Sequence, residues 1–302
     1  MSFDADKATT DWEKDTIILG IDEAGRGPVM GPMVYACAYW KEEYDSDIRK
    51  KFKFNDSKAL KPEEREKMFE QINLHPNLIR YELIVLTSDY ISREMLKRQK
   101  VSLNQISQDS AKKLIKTALD KKVNVRKIYV DTVGPATSYQ ALLKNSLEDK
   151  TIEVTVEPKA DAKYECVSAA SIVAKVTRDK KIEIIEKEDE NCGSGYPSDP
   201  KTKEWLKDNF DNIFGFGREV RFSWKTVDNM FKENNNKCEW EDYDSEEEME
   251  KNKKYKKGKE NEENKNVKIN DMFKEYNNNI NKKKNTIRSF YEKNDIDFVV
   301  DL

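Results

Sequence analysis

Ile17-Ile-Leu-Gly-Ile-Asp22-Glu23-Ala-Gly25-Arg26-Gly27-Pro28 decides how the rest of the chain is read. Its apolar start is too short for a helix and rich in β-branched residues, so it reads as a buried strand. That strand ends in two adjacent carboxylates, followed by a Gly-Arg-Gly turn closed by proline. Val34-Tyr-Ala-Cys-Ala-Tyr-Trp40 reads as a second strand, so the unit is a hairpin with acids at its bend. Gly25, Gly27 and Gly31 have the look of a dinucleotide-binding loop. Such a loop must open a helix, and Pro28 and Pro32 oppose one here.

Working outward, residues 1–15 are polar and are expected to be disordered. Asn55-Asp-Ser-Lys58 reads as a loop leading into a helix from Pro62, where proline suits the first turn and the acids behind it suit the helix dipole. Residues 78–86 form a third predicted strand, and Ser88 is placed to cap a short helix. Ser102-Leu-Asn-Gln105 is a capping-box pattern. It opens a longer helix with Ala111, Leu114, Ile115, Ala118 and Leu119 on one face. Residues 126–131 form a fourth strand, again ending in an acid, and 151–157 alternate as a half-buried fifth. Residues 166–188 turn helical, and small side chains in the first half allow close approach to a sheet. Shorter helical patterns follow at 202–209 and 223–233. Together these predict an α/β fold, a mixed five-stranded sheet flanked by helices with helices continuing at the C-terminal side, over residues 16–233.

The chain has 302 residues, 37% of them charged, with a net charge of −3 and a pI near 5.7. A nucleic-acid binder usually carries a basic pI, so that role requires positive charge to be concentrated on one face. Four dispersed cysteines with no C-x-x-C pair suggest neither a zinc site nor a disulfide framework, and with no signal peptide or membrane-length apolar run the chain is expected to be intracellular. The one histidine, His75, lies in a proline-bearing loop and is expected to be solvated. A Ser-His-Asp triad or an H-E-x-x-H zinc helix is hard to build from that, which leaves hydrolytic chemistry to carboxylates. Residues 234–285, rich in Asn, Lys and Glu, cannot bury enough surface to offset their ordering entropy and are expected to be disordered. Residues 286–302 regain apolar side chains, too few to fold alone, and read as a docking segment.

Asp22, Glu23 and Asp131 end predicted strands, and Asp161 follows the fifth strand just ahead of the small-residue helix. Single acids in so charged a chain are mostly solvated, but acids directly after apolar strands meet at one sheet edge. Two carboxylates at ~4 Å, at an effective dielectric of about 20, repel by roughly 4 kcal/mol. A cluster of four therefore needs cations. All-oxygen ligands select Mg²⁺ or Mn²⁺, and two such ions form the clamp used in phosphodiester hydrolysis. Gly25-Arg26-Gly27 offers exposed backbone beside the acids. Lys58, Ser102, Asn104 and Ser107 lie at loop or helix starts where phosphates bind, although for each taken alone capping or solubility is the stronger reading. Tyr196, in Gly193-Ser-Gly195-Tyr196-Pro197, is a ring on a glycine-flanked loop that can stack on a sugar or base.

In order, these residues resemble the type 2 ribonuclease H family, and within it the catalytic chains of the eukaryotic enzymes. The likeness is carried by the stretch from Gly20 to Tyr35, by Asp56-Ser57-Lys58, Val130-Asp131-Thr-Val-Gly-Pro135, Lys159-Ala-Asp161-Ala, Val167-Ser-Ala-Ala-Ser-Ile-Val-Ala-Lys-Val-Thr-Arg178-Asp179, Gly193-Ser-Gly-Tyr196-Pro and Val220-Arg-Phe-Ser-Trp224. The resemblance implies a ribonuclease H-like fold, cleavage of RNA in RNA–DNA hybrids and incision 5′ of single ribonucleotides in duplex DNA, with a role in replication and repair. It implies Asp22, Glu23, Asp131 and Asp161 as catalytic metal ligands, and Gly25, Arg26, Gly27 and Tyr196 as readers of the 2′-hydroxyl. Asp179, well inside a helix, reads instead as a structural partner, for instance of Arg178. The eukaryotic enzymes work with two non-catalytic subunits, which implies a heterotrimer here, docked through the C-terminal region that contains Arg288-Ser-Phe-Tyr-Glu. Lys253-Lys254-Tyr-Lys256-Lys257 suggests a nuclear signal, though a solvated charge run reads the same way. A catalytically silent scaffold of the same fold would have no use for four clustered acids, and a DNA-only nuclease would leave Gly25-Arg26-Gly27 and Tyr196 unexplained.

Overall fold

In a computed structural model, which describes residues 4–5, 7–54, 60–188 and 192–233, the opening stretch is strand β1 (Ile17–Ala24). It pairs antiparallel with β2 (Met33–Lys41), Asp22 opposite Ala36 and Glu23 opposite Tyr35. β2 pairs antiparallel with β3 (Arg80–Leu86). On its other side β1 runs parallel to β4 (Val125–Asp131), and β4 runs parallel to β5 (Glu153–Glu157). The strand order is β3-β2-β1-β4-β5, the mixed five-stranded sheet expected from the sequence.

Eight α-helices are described: α1 (Asp45–Phe52), α2 (Pro62–Leu74), α3 (Ser88–Leu96), α4 (Leu103–Asp120), α5 (Ala136–Ser146), α6 (Glu165–Glu188), α7 (Pro200–Asp208) and α8 (Lys225–Glu233). Strand side chains alternate between faces, and the two faces bury different helices. Leu19, Ile21 and Tyr35 face the Ala111, Leu114, Ile115 and Ala118 stripe of α4 and Tyr139 and Leu143 of α5. Ile18, Ala36, Ala38 and Trp40 face Val167, Ala170, Ile172 and Ala174 of α6, with Ile48 of α1 and Ile72 of α2. α6 approaches so closely that a Cβ on Gly20 would stand 2.2 Å from the Cys166 carbonyl carbon. A side chain at position 20 would therefore push α6 off the strand that carries Asp22.

Where local details differ from the sequence reading, tertiary contacts explain the difference. The N-cap of α3 is Thr87, without a side-chain bond; Ser88 instead donates its hydroxyl to the Gly31 carbonyl at 2.8 Å. His75 is buried rather than solvated, its Nδ1 2.7 Å from the Gln71 carbonyl and its ring edge-on to Phe52. Ahead of Thr16, Trp12 lies edge-on to Tyr39 with the Arg80 guanidinium 4.3 Å over its ring, and its carbonyl accepts the Asn124 N–H. That aromatic anchor, with the Lys14 and Asp15 carbonyls accepting from the Asn124 side chain, ties down part of a segment whose polarity suggested fraying.

The described residues divide into two compact units, those up to Asp208 with Arg218–Trp224, and Asn209–Gly217 with Lys225–Glu233. In the second, Asp211 and Gly215 exchange backbone hydrogen bonds, and the Phe210 ring meets Phe216 and Phe231 edge-on. The loop residues Asp56-Ser57-Lys58, the Lys253–Lys257 run, the 234–285 insert and the 286–302 segment lie outside the described residues. No helix among the described residues is long and apolar enough to cross a membrane.

Candidate active site

β1 and β4 are parallel neighbours, so their carboxyl ends open on the same edge of the sheet, where open α/β sheets bind ligands. Asp22 lies near the end of β1 and Asp131 is the last residue of β4. Asp161 arrives from a 3₁₀ turn, Ala160–Ala162, between β5 and α6. Lys159, in the left-handed conformation (φ +57°), turns the chain into that position, and the Ala160 N–H then donates to Asp131 Oδ1 at 3.3 Å. Ligand oxygens of Asp22, Asp131 and Asp161 lie within 4.8 Å of one another, Asp22 and Asp161 buried and Asp131 half-buried. Glu23 is outside that trio. It leaves β1 on the other face, beside Tyr35 and Arg26.

Burial pushes the Asp22 carboxyl up to about 7; the Ser171 hydroxyl and the Glu23 N–H pull it back, while the charges of Asp131 and Asp161 raise it further. Burial, then the Asp22 charge, pushes Glu23 up to about 8 against the pull of Arg26 and Tyr35. Among the described residues neither Asp22 nor Asp131 is in an ion pair with lysine or arginine. Burial, with like charges beside it and no cation, favours the protonated form of the Asp22 carboxyl. An all-oxygen donor set of this kind fits a hard divalent cation, which would relieve the repulsion that raises Asp22.

Gly25, at φ +78°, adopts a conformation that other residues enter with strain, and a Cβ there would stand 2.5 Å from the Pro32 carbonyl oxygen. Arg26 reaches α4, donating to the Ser107 hydroxyl and to Asn104 Oδ1. Ser102 accepts the Gln105 N–H at 3.2 Å and so caps α4. Tyr196 is 40% exposed; a methyl on Gly27 would lie 3.5 Å from its Cε1. Its loop is fastened to the turn, the Gly195 carbonyl accepting the Val29 and Met30 N–H groups at 2.8 and 3.2 Å. The Arg178 guanidinium lies 5.6 Å from the Tyr196 ring centre. Asp179 takes no part in the acid cluster. It accepts from Arg65 at 3.1 Å and, more weakly, from Arg178 at 3.4 Å.

Some residues of the site have no role in the sequence reading. Ser171, fully buried on α6, faces Asp22, and in sequence it is one small residue in a small-residue stripe. Tyr35 and Tyr139 flank Glu23 from β2 and α5; in sequence Tyr35 is one residue of a strand and Tyr139 lies in a stretch without a clear period. Arg221, fully buried beneath the Gly25-Arg26-Gly27 turn, had one legible signal, a lone cation inside Val220-Arg-Phe-Ser-Trp224.

Buried acids at two parallel strand ends, beside a turn with approachable backbone and an exposed ring, suit metal-assisted cleavage of a phosphodiester. Comparison with known proteins agrees. The ribonuclease HII family model matches residues 19–227. A ribonuclease H2 subunit from Mus musculus is 45% identical over 79% of this chain and 80% of its own, and its counterpart from Homo sapiens is 47% identical over 77% and 79%. Among solved structures, the ribonuclease H2 from Pyrococcus horikoshii OT3 is 36% identical, with a TM-score of 0.63, over 74% of this chain and 100% of that one. The sheet order, the acids at its edge and the matched sequence thus agree, and the chain belongs to the ribonuclease HII family as a ribonuclease H enzyme.

Proposed function

We propose that the chain is the catalytic subunit of a ribonuclease H2, hydrolysing the RNA strand of RNA–DNA hybrids and incising 5′ of single ribonucleotides in duplex DNA, as a step in ribonucleotide removal during replication and repair. The observation that carries this reading is the convergence of Asp22, Asp131 and Asp161 beside the Gly25-Arg26-Gly27 turn. We assign Asp22, Glu23, Asp131 and Asp161 to hold Mg²⁺ or Mn²⁺. Bound there, such ions lower the pKa of water and stabilise charge on a phosphoryl oxygen. The chain's own residues align and select the substrate. Arg26, braced by Asn104 and Ser107, is held as a cation beside the acids. Asn104 uses its amide oxygen on Arg26, which leaves its –NH₂ for a phosphate, and Lys58 and Ser102 are assigned to the same strand.

Telling RNA from DNA rests on one hydroxyl, which both donates and accepts. A site built to bond a hydroxyl rejects the analogue without it by ~10⁴–10⁵, because its own polar groups are left unpaired. Gly25, Arg26, Gly27 and Tyr196 are assigned that role, the ring and the turn facing each other across a gap that a methyl on Gly27 would narrow.

The relatives from mouse and human bear the name of one lettered subunit of ribonuclease H2, which supports an assembly of several subunits, and we assign this chain two non-catalytic partners. Residues 286–302 are assigned to their docking and Lys253–Lys257 to nuclear import. Truncation after Asn285 should weaken partner assembly on gel filtration without affecting metal binding, and deletion of 253–257 should release a fluorescent fusion from the nucleus. The activity itself is tested on four duplexes in Mg²⁺: an RNA–DNA hybrid, DNA with one ribonucleotide, all-DNA and all-RNA. Cutting of the first two alone is the expected pattern. Cutting of all-DNA duplex contradicts the assignment.

A further inference from the structure

Arg221 is 0% exposed and pairs with no carboxylate among the described residues. Its guanidinium is occupied by main-chain carbonyls: Gly25 at 2.6 Å, Arg26 at 3.0 Å, and Gly31 through Nε at 3.0 Å and through a terminal nitrogen at 2.8 Å. Trp224 stacks its ring 4.7 Å from that guanidinium and donates its indole N–H to the Gly27 carbonyl at 3.1 Å. The carbonyls of three consecutive residues, Gly25, Arg26 and Gly27, are therefore all drawn toward one segment.

Peptide planarity converts that pull into an outward display. In a trans peptide the N–H points opposite to the carbonyl of the preceding residue. With the Gly25 and Arg26 carbonyls turned inward, the N–H groups of Arg26 and Gly27 must turn away from Arg221. Neither donates to any group among the described residues. The third peptide has no N–H to display, because residue 28 is proline. Two adjacent unpaired amides backed by a buried cation offer a pair of donors to an anion or a hydroxyl oxygen. The segment is itself anchored to the turn's far side, Arg221 N–H to Val29 carbonyl at 2.8 Å and Gly31 N–H to Glu219 carbonyl at 2.8 Å.

Burial and the nearby Arg178 charge push Arg221 down to about 9. A lysine could not replace it, since one ammonium lacks the planar fork that spans several carbonyls at once. We infer that Arg221, seconded by Trp224, is a positioning residue for substrate selection, fixing the Gly25-Arg26-Gly27 turn so that the Arg26 and Gly27 amides face the sugar–phosphate of the ribonucleotide. This rests on the ribonuclease H2 reading above.

The test uses Arg221→Lys and Trp224→Phe in the full chain, purified with whatever subunits accompany it. KM and kcat are measured on the single-ribonucleotide duplex and on a long RNA–DNA hybrid, and Mn²⁺ binding and melting temperature are measured alongside. Arg221→Lys is expected to raise KM for the single-ribonucleotide duplex by about tenfold or more and to lower its kcat/KM relative to the hybrid, with Mn²⁺ affinity unchanged. Trp224→Phe keeps an aromatic ring beside the guanidinium but removes the indole N–H that bonds Gly27, so it should shift the same ratio by a few-fold, and it decides the matter if Arg221→Lys fails to fold. Equal loss on both substrates at unchanged KM, in whichever variant folds, would mean that the segment only supports the fold and overturns the inference. If the parent protein cuts neither substrate, the ribonuclease reading itself has failed instead.

Discussion

Asp22 and Glu23, adjacent in sequence, leave β1 on opposite faces of the sheet: Asp22 beside Ser171 of α6, Glu23 beside Tyr35 and Arg26. One strand end thereby presents carboxylates from both layers of the fold to a single edge. It also means that each acid is buried by a different core.

Both carboxyls stand above their ordinary values, 3.8 and 4.5, at about 7 and about 8, and this sets a pH dependence. A group whose pKa rises on folding takes up protons as the chain folds, so its contribution to stability is full below its unfolded pKa and is lost as pH rises through the folded one. Metal-free protein should therefore lose stability between about pH 4 and 8 at these positions. Asp22→Asn, which cannot ionise, should melt above the parent at pH 8.5 in EDTA and no higher than it at pH 5. Each kcal/mol corresponds to roughly 2–4 °C in a domain of this size. Mg²⁺ should raise the parent's melting point at pH 8.5 more than the variant's. A variant that melts below the parent at pH 8.5 contradicts the electrostatic reading.

The two glycines of the turn should separate stability from activity. Gly25→Ala meets both a left-handed φ and the Pro32 carbonyl, and should cost more than about 1 kcal/mol of stability. Gly27 is not in that conformation, and its added methyl would make ordinary contact with Tyr196, so Gly27→Ala should melt within about 0.5 kcal/mol of the parent. Its cleavage should nonetheless fall, since the methyl narrows the gap between turn and ring. Thermal melts and kcat/KM on the same preparations check both expectations. Unchanged kcat/KM in Gly27→Ala would show that this gap does not receive the substrate.

The strands and their terminal acids were legible because apolar runs that stop at a carboxylate carry both signals in one short window. α6 was legible for a related reason, since its small residues announce a close approach that Gly20 completes. α1 and α5 were not read, because each turns only two buried side chains inward, Ile48 and Phe52, and Tyr139 and Leu143, too few to set a period. Which partners meet over long separations was not legible, even where a lone cation drew notice. Arg65 with Asp179 is one such case, and Arg221, reaching carbonyls about 195 residues earlier, is another. His75 misled because a loop composition says nothing of the Phe52 ring that covers it.

Tyr196 offers a hydroxyl and a ring, and its variants should distinguish them. Tyr196→Phe keeps stacking and should lose roughly tenfold on the single-ribonucleotide duplex, about the worth of one hydrogen bond. Tyr196→Ala loses both and should harm that duplex more than a long hybrid, where many registers are available. Measuring kcat/KM for both substrates with both variants checks this. Undiminished incision by Tyr196→Ala would reduce the tyrosine to a surface turn residue.

The most direct measurement is single-turnover incision, in Mg²⁺, of a DNA duplex carrying one ribonucleotide, comparing the parent with Asp131→Asn and Asp179→Asn, each isolated with its accompanying subunits. Asp131→Asn keeps the shape and removes one charge from the trio, so duplex binding should survive while the cleavage rate falls by at least ~10³-fold. Asp179→Asn loosens only the exchange with Arg65 and Arg178 and should cut within a few-fold of the parent, at a stability cost below about 1 kcal/mol. Incision 5′ of the ribonucleotide by the parent and by Asp179→Asn, and its collapse in Asp131→Asn, is the expected result. Near-normal incision by Asp131→Asn would contradict the carboxylate cluster as the centre of the chemistry.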